Sequence, residues 1–358
     1  MTNLDITYEF VRYGEIFEPR PQTVVLDVGM KTVPGVIDHH QADAEPECTA
    51  SLIAKSPRLV LDHLRPRTDS GADDELSKLH IITHRLPDFD SVASIFLTLR
   101  LIELGRVDAP MARIATYTKL ADSASLSKDI DLTATPYAIL RALFSGAKRE
   151  ESLINQDRVA EGLKFMKFLY DKAEEGYDIE ENRTLFSGID RYERARRKIE
   201  NDYFHYLDDQ GRGQKVTLEL PRSSGAGKKA VDGLIVRNPS SFLLKEWARR
   251  DRAASPLGAG FSLLVTNFGG QRYILGVDPE RGVNLRGLGE SLNRAEARKR
   301  EADGRSDAAR WYEGNCSFFN YRIIDSPQRG TILSHQDVVQ CLLDFSRAPR
   351  QPNGDTAD

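Results

Sequence analysis

An α/β fold with a mainly parallel sheet in its first domain is predicted by three observations. Residues 23–27 (TVVLD), 35–38 (GVID) and 79–84 (LHIITH) are short, nearly continuous apolar runs, the pattern of strands buried on both faces. Each run ends in Asp or His, and groups at the carboxyl ends of such strands face the crevice where ligands bind. The segment SVASIFLTLRLIELG, from Ser91, is apolar nearly all round, which predicts a helix packed against the sheet with Gly105 as its C-cap.

The other elements follow in order. Residues 47–65 predict one further helix, and 134–207 read as helical with no strand signal. DDQGRGQ (208–214) is turn-rich and predicts a domain boundary. Beyond it KVTLELP, GLIVR, SFLLKEWARR, FSLLVTN, RYILGV, a helix near 286–301, FFNYRIID and HQDVVQCLLDF predict a smaller α/β C-terminal domain. The expected organisation is a first domain over 1–207, a second over 215–346 and a disordered tail over 347–358.

The 358 residues suffice for about two domains at ~150 residues each. Hydrophobic residues make up 40%, enough for a core that needs no disulfide. Cys48, Cys316 and Cys341 form no CxxC pair, which argues against a zinc ribbon and suits a reducing cytosol. The opening MTNLDITYEF lacks a signal-peptide pattern, and no stretch approaches the ~18 apolar residues of a membrane span. The expectation is a cytoplasmic protein with no membrane partner. A net charge of −4 gives no global bias toward nucleic acid.

The chemistry concentrates in three segments: Val24-Val25-Leu26-Asp27, Ile37-Asp38-His39-His40, and His84-Arg85-Leu86-Pro87-Asp88-Phe89-Asp90-Ser91. Three of the seven histidines lie at these strand ends beside four aspartates. Carboxylate with imidazole suits Mn²⁺, Mg²⁺, Fe²⁺ or Zn²⁺, and so many anions favour two ions sharing the site. Pro87 is expected to hold Leu86 extended and to open a turn. Asp88 and Asp90 then fall in the loop and first helical turn, whose amides could receive a phosphate. His63, His80, His205 and His335 read as surface or packing residues.

Asp38-His39-His40 resembles the signature of the DHH phosphoesterase superfamily, and His84 to Ser91 resembles that family's HxxPDxDS metal motif. The family includes RecJ-type exonucleases, nanoRNase-type oligoribonucleases, cyclic-dinucleotide phosphodiesterases and family II inorganic pyrophosphatases. The resemblance covers 23–40 and 79–94. It implies two divalent metal ions, Mn²⁺ above Mg²⁺ or Fe²⁺. By it, His84 and Asp88 hold one ion, Asp90 and His39 the other, and Asp27 bridges them. Asp38 orients His39, His40 faces the substrate phosphate, and Asp122 in KLADSAS is the candidate for the family's last ligand. One departure is plain: HxxPDxDS normally precedes DHH, and here it follows. Permutation is physically permissible, because a site depends on where strand ends meet.

The family's GGGH signature is absent from the second domain. The nearest analogue is Asn284-Leu285-Arg286-Gly287-Leu288-Gly289, whose glycines make Arg286 a candidate for substrate contact. Lys245, Arg249, Arg250 and Arg252 read first as a solvated helix face, with Arg249 and Arg250 the candidates for a phosphate clamp. Ser224 to Lys229 lacks the first glycine and the hydroxyl residue of a P-loop and reads as a hairpin loop, from which Lys229 could touch phosphate. Trp311 and Tyr312 could stack on a base or belong to the core.

These readings lead to an expected divalent-metal-dependent phosphodiesterase acting on a short oligonucleotide or dinucleotide through a metal-bridging hydroxide. The alternatives are a pyrophosphatase-like phosphoanhydride hydrolase, which the HxxPDxDS form favours, and an inactive DHH-like nucleotide-binding module. The intact ligand set argues against the last.

Overall fold

The computed structural model describes residues 4–64, 76–145, 151–225, 227–305, 307 and 309–348. The expected tail lies outside them from residue 349 onward. The chain divides into two compact units: Met1–Asp202 with Asn315–Phe319, and Tyr203–Gly314 with Asn320–Asp358.

The first unit contains β1 (Asp5–Val11), β2 (Thr23–Leu26), β3 (Thr32–Val33), β4 (Val36–Ile37), α1 (Thr49–Lys55), α2 (Arg58–Leu64) and β5 (Lys78–His84). There follow α3 (Phe89–Leu104), α4 (Ala109–Asp122), α5 (Pro136–Phe144), α6 (Glu151–Glu174) and most of α7 (Asp190–Arg212). Its sheet runs β1-β5-β2-β4-β3, parallel except where β3 meets β4. All four residues of β2 are buried, as a central strand covered on both faces requires.

The sequence reading missed β1. DITYEFV alternates in burial along an edge strand and carries none of the continuous apolar character of β2. The predicted helix over 47–65 is instead α1 and α2, with Pro57 between them, and residue 65 lies outside the described residues. Helix α3 buries Phe89 to Thr98 and Leu101, the side chain of Asp88 caps its start, and Gly105 ends it at φ 69°. It packs on β2 and β5, while α1 packs on β4 and α6 on β1.

The second unit contains β6 (Gln214–Pro221), β7 (Lys228–Arg237), α8 (Leu244–Arg250), β8 (Leu263–Phe268), β9 (Arg272–Val277), α9 (Leu288–Ala302), β10 (Ile323–Asp325) and α10 (His335–Arg347). Its sheet order is β10-β9-β8-β7-β6, antiparallel except between β7 and β8. The chain is therefore mixed α/β with two mixed sheets. No helix among the described residues is long and apolar enough to cross a membrane.

The turn expected at 208–214 is corrected: α7 continues through Arg212. Its last turn is held from outside, because the buried Asp209 carboxylate accepts from the amides of Ser240 (2.8 Å) and Ser241 (2.8 Å). The division between units falls inside α7, at Asp202 and Tyr203. In FFNYRIID only Ile323–Asp325 is strand, because Asn320 and Tyr321 both take positive φ.

One packing contact in the first unit has a testable sign. A Cβ on Gly162 of α6 would lie 2.3 Å from Val92 Cγ1 of α3. Glycine to alanine in a helix ordinarily stabilises by ~1 kcal/mol. Here the β-branched Val92 is stiff and buried, so Gly162→Ala should instead destabilise by ~1–3 kcal/mol. A urea titration reads the direction.

Candidate metal centre

Parallel pairing brings three strand ends together. Leu26 of β2 is registered with Ile37 of β4, and Val25 with Ile82 of β5. Continuing each register past its last pair puts Asp27 between Asp38 and His84. The Asp27 amide donates to the Ile37 carbonyl (3.0 Å), and its φ of 62° is left-handed, a conformation Asp adopts more readily than most residues.

Asp27 is buried and its two oxygens point to different groups. Oδ2 lies 3.1 Å from His84 Nε2 and accepts from Ser91 Oγ at 2.8 Å. Oδ1 accepts from Thr49 Oγ1 at 3.4 Å and lies 3.8 Å from His39 Nδ1. Three sets of ligand atoms lie within 4.8 Å of one another: Asp27-His84-Asp88, His39-Asp90-Asp122, and Asp27-Asp38-His39-His40. Asp27 is shared between the first and third, and His39 between the second and third.

Each side chain is held by its own element. His84 Nδ1 lies 2.9 Å from the Arg85 carbonyl, which can only accept a hydrogen bond, so in the neutral ring Nδ1 carries the hydrogen and Nε2 the lone pair a metal would need. Ser91 Oγ and Tyr13 Oη stand 2.5 Å and 2.8 Å from that Nε2. Asp88 accepts from the Ser91 amide at 3.2 Å, so this α3 amide is already used and does not await a phosphate. Asp90 accepts from the Thr49 and Ala50 amides at the start of α1, both at 2.9 Å. Asp122 ends α4 and brings Oδ2 to 3.5 Å from His39 Nε2.

The residues present fit divalent cations on one decisive observation. His39 Nε2 and Asp122 Oδ2 are both buried, face each other, and have no hydrogen-bond partner. Buried polar atoms are almost always paired, so an orphaned imidazole nitrogen beside an orphaned carboxylate oxygen is a donor set that could hold a cation. The electrostatics agree. Burial, then the charges of Asp90 and Asp88, push the Asp27 carboxyl well above its ordinary range, and the same causes with Asp27 added act on Asp122. Burial pushes Asp90 up to about 6. Burial, followed by the His40 charge, holds His39 well below its ordinary value, in the neutral form a metal requires.

Two expectations are corrected in this unit. Asp38 does not orient the His39 ring. Its Oδ1 lies 2.6 Å from His40 Nδ1 and accepts from the His39 amide at 2.8 Å. The His39 Nδ1 instead faces Thr49 Oγ1, at 3.3 Å. Burial would lower His40, but Asp38 outweighs it and His40 is pushed up to about 9. Leu86 is not extended: its φ is 57°. Its amide donates to the Asn155 side chain (2.6 Å) and its carbonyl accepts from Arg158 (3.0 Å), which holds the left-handed turn that Pro87 disfavours.

Of the second-unit candidates, Arg249 is buried, Arg250 and Lys229 are half-buried and Arg286 is exposed. Arg249 is buried and donates to the Val277 carbonyl at 3.1 Å. Arg250 donates to the Glu246 carbonyl of its own helix (2.8 Å), and Lys229 to the Arg281 carbonyl (3.0 Å). Arg286 is exposed and lies over the Tyr321 ring at 4.3 Å. The amides of Gly287 and Gly289 are taken by the Glu313 carboxylate, which fills the place of an anion at the start of α9. Trp311 is a core residue whose Nε1 donates to Glu296 at 3.3 Å.

Sequence reading missed the aromatic surround. Tyr13 stacks on His84 (4.1 Å) and Phe319 lies 5.6 Å from the His40 ring. Their signal is weak, since neither belongs to a motif. No protein-family model matches this chain, and no curated protein matches it. The resemblance to DHH phosphoesterases rests on the motifs alone.

A carboxyl whose folded pKa is raised loses protein stability as pH climbs above its unfolded value. In chelator, Asp122→Asn should therefore be more stable than wild type at pH 7, by about 1 kcal/mol or more, and the gap should close toward pH 4. With Mn²⁺ added, wild type should gain more than the variant. Urea midpoints of both proteins in chelator at pH 7, in chelator near pH 4 and with Mn²⁺ at pH 7 check both signs.

Proposed function

We propose that this chain is a DHH-type, divalent-metal-dependent phosphohydrolase that cleaves a phosphodiester in a short oligonucleotide or dinucleotide. The observation that carries the reading is Asp27, with one oxygen on the His84 side and the other on the His39 side. Two divalent ions, Mn²⁺ by the resemblance, would supply an activated water and neutralise phosphoryl charge.

The chain's own residues do the rest. His84 and Asp88 would hold one ion, His39, Asp90 and Asp122 the other, and Asp27 both. His40, held through Nδ1 by Asp38, would be the side chain that faces a phosphoryl oxygen. Thr49 and Ser91 hold the ligand carboxylates in place. The rings of Tyr13, 45% exposed, and Phe319 beside His40 favour a substrate that carries a planar base.

A second enzyme reading, pyrophosphate hydrolysis, is favoured by the HxxPDxDS form. An inactive binding module is the third. In the full chain loaded with Mn²⁺, elemental analysis should find two ions, and a dinucleotide should be cleaved faster than pyrophosphate. The reverse preference selects the second reading, and two ions with no turnover of either substrate selects the third. Asp27→Ala should lower metal content below two ions and reduce turnover to background. Full activity in that variant would refute the shared-ligand role.

A further inference from the structure

Beside the Asp88 end of the cluster lies a cation that forms no ion pair with a carboxylate among the described residues. Arg158 of α6 donates from Nη1 to the carbonyls of Leu86 (3.0 Å) and Pro87 (3.5 Å). Both acceptors are uncharged, and no ion pair to Arg158 occurs among the described residues. Its Nε is buried and has no hydrogen-bond partner. The guanidinium carbon sits 5.1 Å from the centre of the Phe144 ring of α5. Arg141 lies one turn before Phe144 on the same helix, and therefore on the same face.

These positions put two guanidinium groups in one neighbourhood. Burial, and then the Arg141 charge, hold Arg158 below its ordinary value, while Asp88 and Tyr13 act the other way. Arg158 thus has a like charge on one side and the His84-Asp88 half of the cluster on the other. Carboxylates committed to metal ions cannot neutralise it. A partly desolvated arginine without a counter-charge is costly, and its planar fork matches the oxygens of a phosphate.

We propose that Arg158, with Arg141 behind it, is a phosphate-binding subsite of the first unit. It takes oxygens of a substrate phosphate presented at the Asp88 side of the cluster. This rests on the phosphohydrolase reading and gives it the cationic group that Arg249 and Lys229, whose side chains are bonded internally, do not offer. The competing role is purely mechanical: Arg158 would only prop the Leu86 turn.

The test uses the full chain, inorganic phosphate as the probe, and calorimetric titration with and without Mn²⁺, with metal content measured for each variant. Arg158→Lys and Arg141→Met should each keep the wild-type metal content and melting profile. Each should weaken phosphate binding at least about tenfold, the size expected for losing a charge-assisted contact. Arg141→Met is informative even if the Arg158 variant misfolds, because Arg141 sits on α5 and leaves the Arg158 bonds to Leu86 and Pro87 in place. Unchanged phosphate affinity in both variants overturns the subsite. So does a loss of affinity seen only where metal content or melting also falls, which marks the mechanical role. A wild-type chain that binds no metal would sink the phosphohydrolase reading instead. Arg158-dependent phosphate binding in chelator would then still uphold the subsite.

Discussion

The first unit depends on the register of three parallel strands. Because β5, β2 and β4 run the same way and end close together, one residue at or just past each end falls on a common line. That residue is His84, the last of β5, or Asp27 or Asp38, which follow β2 and β4. The central position belongs to Asp27, and it reaches both neighbours because its backbone turns left-handed there. A parallel sheet requires crossovers, and the crossover from β4 to β5 passes through α1, whose first amides hold Asp90. The connections that satisfy the topology thus also fasten the site.

Such an arrangement is not self-sufficient. Burying Asp27, Asp90 and Asp122 near one another raises their proton affinities, and two polar atoms of the group have no hydrogen bond at all. Cations bound there would resolve both problems at once and would link metal binding to stability in this chain. The surrounding groups have positional roles. Thr49 and Ser91 donate to carboxylates, the Arg85 carbonyl sets the His84 tautomer, and Asn155 with Arg158 holds Leu86 in a conformation it would otherwise avoid.

Much of this was legible in the sequence, for a physical reason. Buried strands announce themselves as apolar runs, and a polar residue ending such a run has few places to go but the strand-end crevice. The places of Asp27, Asp38 and His84 follow from that pattern, those of His39, Asp88 and Asp90 were implied by the resemblance, and even Asp122, at a helix end, converges with them. The place of Arg249 was not legible, because a basic helix looks the same whether its guanidinium groups face solvent or, like Arg249, serve a buried carbonyl. The edge strand β1 escaped notice because half of its side chains face outward and dilute the apolar signal.

The sequence by itself determined which residue types could bind metal, which strands end in them, and that the segment resembling HxxPDxDS follows the one resembling DHH. It also determined the helical stretch and the alternation of strand and helix beyond it. Only the tertiary structure decided that Asp38 serves His40, that Leu86 turns left-handed, that Tyr13 lies on His84, and that Arg158 stands beside Asp88. The reason is the range of the forces involved. Burial patterns are written along the chain in periods of two to four residues. A hydrogen bond between Leu86 and Asn155, sixty-nine positions apart, exists only once packing has brought α6 to the turn.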